Sequence, residues 1–327
     1  KSGYPGPVHL SLPVDIMFSS FPQDLGKRER PFKPASFKIP KAWPEPDFLS
    51  EVIEVIRKAE RPIFIGGHGV WWSKNENKLG EAGEKLGIPI FNTPYHHKLL
   101  NENCPAFMGL ADIHQYGPSK FALHRSDCII MVGCRLDNQM NFGNPPFIPE
   151  TADLICVNGS HEEIEFNRSA DYALLSDPGA FLTELLNSRE MSDWSTESNW
   201  LKENFKKRND WIANTMASLE KETSGPEWAN GVIHPLTLSL EVQKAMKDGD
   251  WLVFDGGNTH FWSEIAVNIA ARKGRKFEGI LHPGSFSLLG VGVSFALSAK
   301  NLNPKKTVVL ISGDGAFLSG GLSIEAA

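Results

Sequence analysis

The sequence predicts an α/β protein made of two three-layer units, each with a parallel sheet between helices. Three observations predict this. Short apolar runs alternate with helically spaced segments over residues 48–186 and again over 234–327, the pattern of strands joined by helical crossovers. Gly, Asn or Arg follows the apolar runs, at the carboxyl edge where open parallel sheets bind ligands. The chain has 327 residues, more than one core usually organises.

Each element follows in order. In GYPGPVHLSLPVDIM, a Gly/Pro turn precedes Val8, Leu10 and Leu12, which alternate with His9 and Ser11 up to Pro13. That period-2 pattern predicts a strand, read as the last strand of a preceding domain over 1–20. Residues 21–46 are rich in Pro, Lys and Arg without sustained periodicity, which predicts a surface linker. The first unit is expected over 47–188. Val52, Ile53, Val55 and Ile56 predict a helix over 48–59; RPIFIGGHG is a buried strand ending in glycines; 78–86 is helical; IPIFNTPYHH is a strand. A helix near 120–124, strands CIIMVG and DLICVNG, and a helix over 179–186 complete it. Residues 189–233 are charged and carry Trp194, Trp200, Trp211 and Trp228 without strand signal, predicting a second, partly helical linker. The second unit is expected over 234–327: a helix to Met246, the strand WLVFDGG, a helix near 263–271, the loop LHPGSFSLLG, a helix over 291–299, the strand TVVLISGDG and the start of a further helix.

Composition narrows the function. With 33 basic and 39 acidic residues and a net charge of −6, no electrostatic footprint marks a nucleic-acid or anionic-membrane partner. Small molecules or protein are the expected partners. Cys104, Cys128, Cys134 and Cys156 are irregularly spaced, as core thiols in a reducing compartment are. No run approaches the ~20 apolar residues that span a bilayer, so a soluble cytoplasmic or organelle-matrix protein is expected. Lys1 opens the chain without an initiator Met, and Ala327 falls inside a predicted helix; the sequence reads as a segment cut at both ends.

Chemistry concentrates in three segments of the second unit. In TVVLISGDGAFLSGG, a buried strand runs into Gly313-Asp314-Gly315-Ala316 ahead of a helix. Glycines there let backbone N–H groups approach a phosphate. An acidic residue among them suits a hard divalent cation bridging to a diphosphate, because Mg2+ takes one or two carboxylates plus phosphate oxygens. A plain surface turn is the alternative. In DGDWLVFDGGNTHFW, Asp255, Asn258, Thr259 and His260 fall at the edge from which Asp314 emerges if the two strands are parallel neighbours. Asn258 and His260 offer donors to a diphosphate; a helix N-cap at Asn258 or Thr259 is the alternative. In GILHPGSFSLLGVGVSF, glycines flank Phe286, Leu288 and Leu289, either a wedge under a bound ring or a hydrophobic staple for the next helix.

In this order the three segments resemble the thiamine diphosphate (ThDP) domain of the acetolactate synthase-like family, which includes benzaldehyde lyase and 2-hydroxyacyl-CoA lyase. The resemblance makes Asp314 a Mg2+ ligand and assigns Gly313, Gly315 and Ala316 to the diphosphate. It places Asn258, Thr259 and His260 on the diphosphate-contacting loop, where acetolactate synthases usually have Gln-His-Gln. SFSLLGVG is similar to the family's Gly-x-Met-Gly segment, with Leu289 as the wedge and the Ser287 carbonyl under the aminopyrimidine; these two residues are the expected catalytic contributions of the chain. The resemblance reaches the first unit as well. GYPGPVHLSLPVDIM is similar to the end of the pyrimidine-binding domain, and RPIFIGGHG, LGIPIFNTPYHHK and SDCIIMVGCRLD are similar to a Rossmann-like middle domain, with Gly133 and Arg135 on its Gly-x-Arg element. VNGS stands where flavin-binding members carry an Ile-Asp-Ile-Asp type strand end, a departure that counts against FAD and favours the lyase side.

The function implied is a ThDP- and Mg2+-dependent C–C lyase or carboligase acting on 2-keto acids, 2-hydroxyacyl or 2-hydroxyketone substrates through an ylide and an enamine. The activating Glu belongs to the pyrimidine-binding domain, typically of a neighbouring subunit, so a homodimer or homotetramer is implied and the segment alone is expected to be silent. Two other readings stand beside it: a nucleotide-binding regulatory or scaffold protein that keeps the fold without catalysis, and a nicotinamide-dependent dehydrogenase, against which GGHGVWW lacks the third glycine of GxGxxG. His96, His97 and His124 have non-ligand spacing and are expected to be exposed or loop-packing rather than a metal site.

Overall fold

In the computed structural model the described residues are 6, 9–20, 40–94, 100, 104–112, 116–164, 166–191, 194, 198–228, 231–271 and 277–326. Most of the expected linker 21–46, together with His96 and His97, lies outside them. The first described element is helix α1 (Val14–Phe18), none of whose side chains is buried. The strand expected through 8–12 does not form among the described residues: 9–13 are irregular and exposed. An alternating pattern makes a strand only where another strand takes its N–H and C=O groups, and among the described residues none runs beside this segment.

The first unit follows as α2 (Pro46–Lys58), β1 (Pro62–Gly66), α3 (His68–Trp72), α4 (Glu76–Leu86), β2 (Ile90–Asn92), β3 (Phe107–Leu110), α5 (Gly117–Leu123), β4 (Cys128–Val132), β5 (Asp153–Asn158), α6 (His161–Ile164), β6 (Tyr172–Leu175) and α7 (Pro178–Asn187). Its six strands form one parallel sheet in the order β3-β2-β1-β4-β5-β6. Helix α2 shows why the sequence folds this way locally. The Glu45 carboxylate accepts the N–H groups of Asp47 and Phe48 at 3.2 and 2.7 Å, and Pro46 opens the first turn without a donor to satisfy. Leu49, Val52, Ile53 and Ile56 then share one buried face, each worth ~1.5–3 kcal/mol on burial. The turn that follows is tied down by Asp127, whose carboxylate accepts from Glu60 N and Arg61 N at 2.9 and 2.8 Å.

Successive side chains of the sheet enter two separate cores. Phe64, Ile130 and Val132 pack with α2, α4 and α7, whereas Ile63, Ile65, Ile129 and Met131 pack with α5 and the 140–148 segment. A parallel sheet covered on both faces needs continuous apolar runs, and β1 and β4 are such runs. Cys104, Cys128, Cys134 and Cys156 are buried free thiols; burial pushes the Cys104 thiol up to about 11 and raises those of Cys128 and Cys134.

Between the units runs α8 (Asn199–Thr223), a 25-residue helix capped by Ser198, whose hydroxyl accepts from Leu201 N at 3.1 Å. It is docked along the first unit. Trp200 Nε1 donates to Pro62 O at 3.1 Å, Arg208 Nη1 donates to Phe107 O, and Trp211 meets Tyr116 edge-on at 4.8 Å. The second unit comprises α9 (Pro235–Ala245), β7 (Trp251–Phe254), α10 (Asn258–Ala271), β8 (Gly279–Leu281), α11 (Gly292–Leu302), β9 (Val308–Ile311) and α12 (Asp314–Gly320). Its parallel sheet has the order β8-β7-β9. Leu252, Phe254, Val267 and Ile311 form its core, and α9 packs along α10. Among the described residues no helix is long and apolar enough to cross a membrane.

Candidate cofactor site

The second sheet brings the three chemistry-bearing segments to one edge. β7 and β9 are parallel neighbours with Phe254 level with Ile311, so Asp255–Gly257 and Ser312–Gly313 leave the sheet side by side. Helices α10 and α12 start directly after them. A Cβ on Gly313 would lie 3.1 Å from Thr259 Oγ1, so the two exits touch. Asn258, Asp314 and Gly315 are exposed there, Thr259 is half-buried, and Ala316 is buried. Beyond its chain neighbours and its own helix backbone, no described atom lies within 4 Å of where a Cβ on Gly315 would be, and the residue is exposed.

Residues 258–260, expected in a loop, form the first turn of α10. Gly257, at φ +80, makes the chain reversal and its carbonyl accepts from His260 N at 3.0 Å, which winds the helix one turn earlier than apolar periodicity indicates. The His260 side chain turns inward. It is buried, its ring stands edge-on to Phe254 and His282 at 5.2 and 5.0 Å, and Nε2 approaches Glu264 Oε1 to 2.9 Å without the alignment of a hydrogen bond. Asn258 and Thr259 therefore reach the edge, whereas the His260 imidazole lies beneath it.

The third segment arches over the β7 exit. After the short 3-10 turn Gly284–Phe286, Ser287 adopts the left-handed region at φ +49, and Gly290 follows at φ +88. Phe286, Leu288 and Leu289 are 86, 57 and 50 % exposed, so this is no hydrophobic staple folded onto the next helix. A Cβ on Gly256 would meet Leu289 Cδ2 at 3.0 Å and the carbonyl oxygens of Leu288 and Ser287 at 3.2 and 3.3 Å. Close approach of the turn to the strand end favours glycine at that position, since any Cβ there would press on the turn. Sequence reasoning placed Asp255 at this edge without a task. Its carboxylate, 0 % exposed, accepts from Gly256 N and Gly290 N through Oδ1 at 2.8 and 3.0 Å and from Gly292 N through Oδ2 at 2.9 Å. An acidic residue at a strand end, ahead of two glycines and matched by two more downstream, is the signal that could have found it.

A crevice of about 780 Å³ lies between the first unit's strand ends and the 278–286 segment. Arg135 is committed to Glu163 at 3.0 Å and lies over the Phe166 ring at 5.2 Å. Gly69 N–H donates to Gly133 O at 2.7 Å, so the amide at the start of α3 is taken by the chain itself. Burial, and then the Arg135 charge, hold His68 below its usual range. Glu76, Asp137, Glu163 and Glu278 also line the crevice; among its described lining residues these carboxylates outnumber the single arginine, itself paired with Glu163, a set that does not suit the diphosphate of a flavin dinucleotide.

The hard oxygen donors and open backbone at the second edge do suit a diphosphate with a divalent cation. Asp314 supplies one exposed carboxylate there, while among the described residues no group of three or more His, Cys, Asp or Glu could hold a metal alone. Phosphate oxygens and water complete a Mg2+ shell in such sites.

Comparison with known proteins assigns both units to one enzyme family. Residues 49–185 match the thiamine pyrophosphate enzyme central domain, and residues 255–327 match the thiamine pyrophosphate enzyme C-terminal TPP binding domain. A probable acetolactate synthase large subunit of Methanococcus aeolicus is 26% identical over 325 residues, covering 97% of this chain and 52% of its own length. The 2-hydroxyacyl-CoA lyase 2 of Mus musculus is 27% identical over 356 residues, with 97% and 52% covered. The 2-hydroxyacyl-CoA lyase 1 of Dictyostelium discoideum is 23% identical over 344 residues, with 100% and 57% covered. The chain spans about half the length of the curated relatives it matches. Two domain matches, one on each parallel-sheet unit, establish that this chain belongs to the thiamine pyrophosphate enzymes.

Proposed function

We propose that the chain contributes the middle and diphosphate-binding parts of a ThDP- and Mg2+-dependent C–C lyase or carboligase, acting on 2-keto acids, 2-hydroxyacyl or 2-hydroxyketone substrates. The observation that carries this reading is the meeting of three segments at one sheet edge: Thr259 against Gly313, and Leu289 against Gly256. Bound there, ThDP supplies a carbanion-forming centre that adds to carbonyl groups. Asp314 would hold Mg2+ against the diphosphate, and the N–H groups of Gly315 and Ala316, with the side chains of Asn258 and Thr259, would bind its oxygens. Leu289, standing out beside Gly256, would keep the two rings folded toward each other, and the Ser287 carbonyl would accept a hydrogen bond from the aminopyrimidine and so orient it. The exposed apolar side chains of Phe286, Leu288, Leu318 and Leu322 favour burial against a second copy, as a homodimer or homotetramer would provide.

The test is calorimetric titration of the full-length polypeptide with ThDP, with and without Mg2+. The expected result is Mg2+-dependent binding that Asp314→Ala abolishes while leaving thermal stability nearly unchanged, since that carboxylate is exposed. Equal affinity in the variant would remove the metal role; no binding by the parent protein would remove the cofactor.

A further inference from the structure

Exposed apolar turns are not held by their own burial, and the 286–289 turn is exposed along its length. Ser287 adds strain, because a side-chain-bearing residue at φ +49 persists only where its surroundings over-determine it. Something other than packing must hold this turn. Asp255 occupies the point from which it can be held. It sits at the carboxyl end of β7, its backbone N–H donates to Ile311 O at 3.0 Å, and its carboxylate binds the N–H groups of Gly290 and Gly292 at 3.0 and 2.9 Å. One residue thus joins β9, through its backbone, to the residues that close the turn, through its side chain.

The surrounding glycines are shaped to this contact. A Cβ on Gly292 would lie 2.7 Å from Asp255 Oδ2, and a Cβ on Gly290 would lie 2.9 Å from Ser319 Cβ. Gly290 is therefore held between the buried carboxylate and the end of α12, the helix that Asp314 begins. The residue after Leu289 thus lies between a carboxylate that faces no solvent and the end of the helix that Asp314 begins.

We propose that Asp255 is the positioning residue of the cofactor site: its carboxylate fixes the Ser287–Gly290 turn over Gly256, so that the wedge and the orienting carbonyl are in place before any ligand arrives. The role in cofactor binding rests on the function proposed above; the anchoring of the turn does not.

The experiment compares the protein with Asp255→Asn, which keeps the shape but presents an N–H donor where an acceptor is needed. Hydrogen exchange without ligand should quicken at Gly290 and Gly292 by about tenfold or more, as loss of a charged acceptor permits. ThDP affinity in the presence of Mg2+ should fall by a similar factor. Asp250→Asn is the control. Asp250 is also buried on β7's flank, but at the opposite end, where it accepts from Lys247 N at 2.8 Å; its loss should lower stability and change neither readout. Unchanged exchange at Gly290 and Gly292 in Asp255→Asn overturns the proposal, as does an equal loss of affinity in the control. If Asp255→Asn does not fold, Gly292→Ala replaces it, pushing a methyl group against the carboxylate; unchanged exchange at Gly290 would again be decisive against the anchor. Faster exchange in a protein whose parent form binds no ThDP would support the anchor and reject the proposed function.

Discussion

Leu289 Cδ2 lies 3.0 Å from where a Cβ on Gly256 would stand, with the Leu288 and Ser287 carbonyl oxygens almost as near. The exposed turn and the exit of β7 are therefore separated by the thickness of a glycine. A flexible leucine methyl can move aside, but two backbone oxygens cannot do so without shifting the turn.

Gly256→Ala should accordingly weaken ThDP binding by about 1 kcal/mol, roughly fivefold, while the melting temperature changes little. Titration calorimetry on the parent and the variant measures it. Equal affinities would mean that the turn adjusts freely.

Trp200→Ala should act on stability and leave the cofactor edge alone. Trp200 is buried, stacks on Phe121 at 5.7 Å and 29°, and donates to the backbone of β1. Truncation of such a side chain costs about 3–5 kcal/mol, to be read from urea denaturation. A loss under ~1 kcal/mol would show that α8 is not integral to the first unit.

His68 should titrate below the usual value of about 6.5, because burial first and Arg135 second disfavour its charged form. Arg135→Ala should raise the midpoint only part of the way, leaving the effect of burial. The sign for stability follows: above the ordinary histidine range both folded and unfolded states are neutral, and as pH falls through it the unfolded chain binds the proton first. Stability is therefore lost toward acid, with the full loss reached below the folded-state value. NMR of the imidazole Cε1 proton in parent and variant checks the midpoint; a value above 6.5 would contradict the burial seen here.

Long apolar runs made β1, β4, β5, β7 and β9 legible, because a buried parallel strand needs apolar residues on both faces. The strands that were missed are short: Phe107–Leu110, Tyr172–Leu175 and Gly279–Leu281. Each sits at an edge of its sheet, where three or four residues carry no periodicity and pairing to a neighbour decides the conformation. The reverse case, over the described residues 9–12, has the same cause: an alternating pattern with no partner strand among the described residues. Helix α8 was visible as helix but not as part of the first unit, since its anchors, Trp200 on Pro62 and Arg208 on Phe107, are contacts about a hundred residues apart or more.

At the site, the sequence alone determined residue types and order: a carboxylate among glycines after one strand, donors after another, and an apolar turn flanked by glycines between them. Tertiary structure decided their relations. Parallel pairing of β7 with β9 set Thr259 beside Gly313, the early start of α10 turned His260 inward, and the carboxylate of Asp255 caught two amides 35 and 37 residues away. Local composition can specify what a side chain is able to bond, but which group it meets depends on how distant strands align, and that is settled only when the sheet closes.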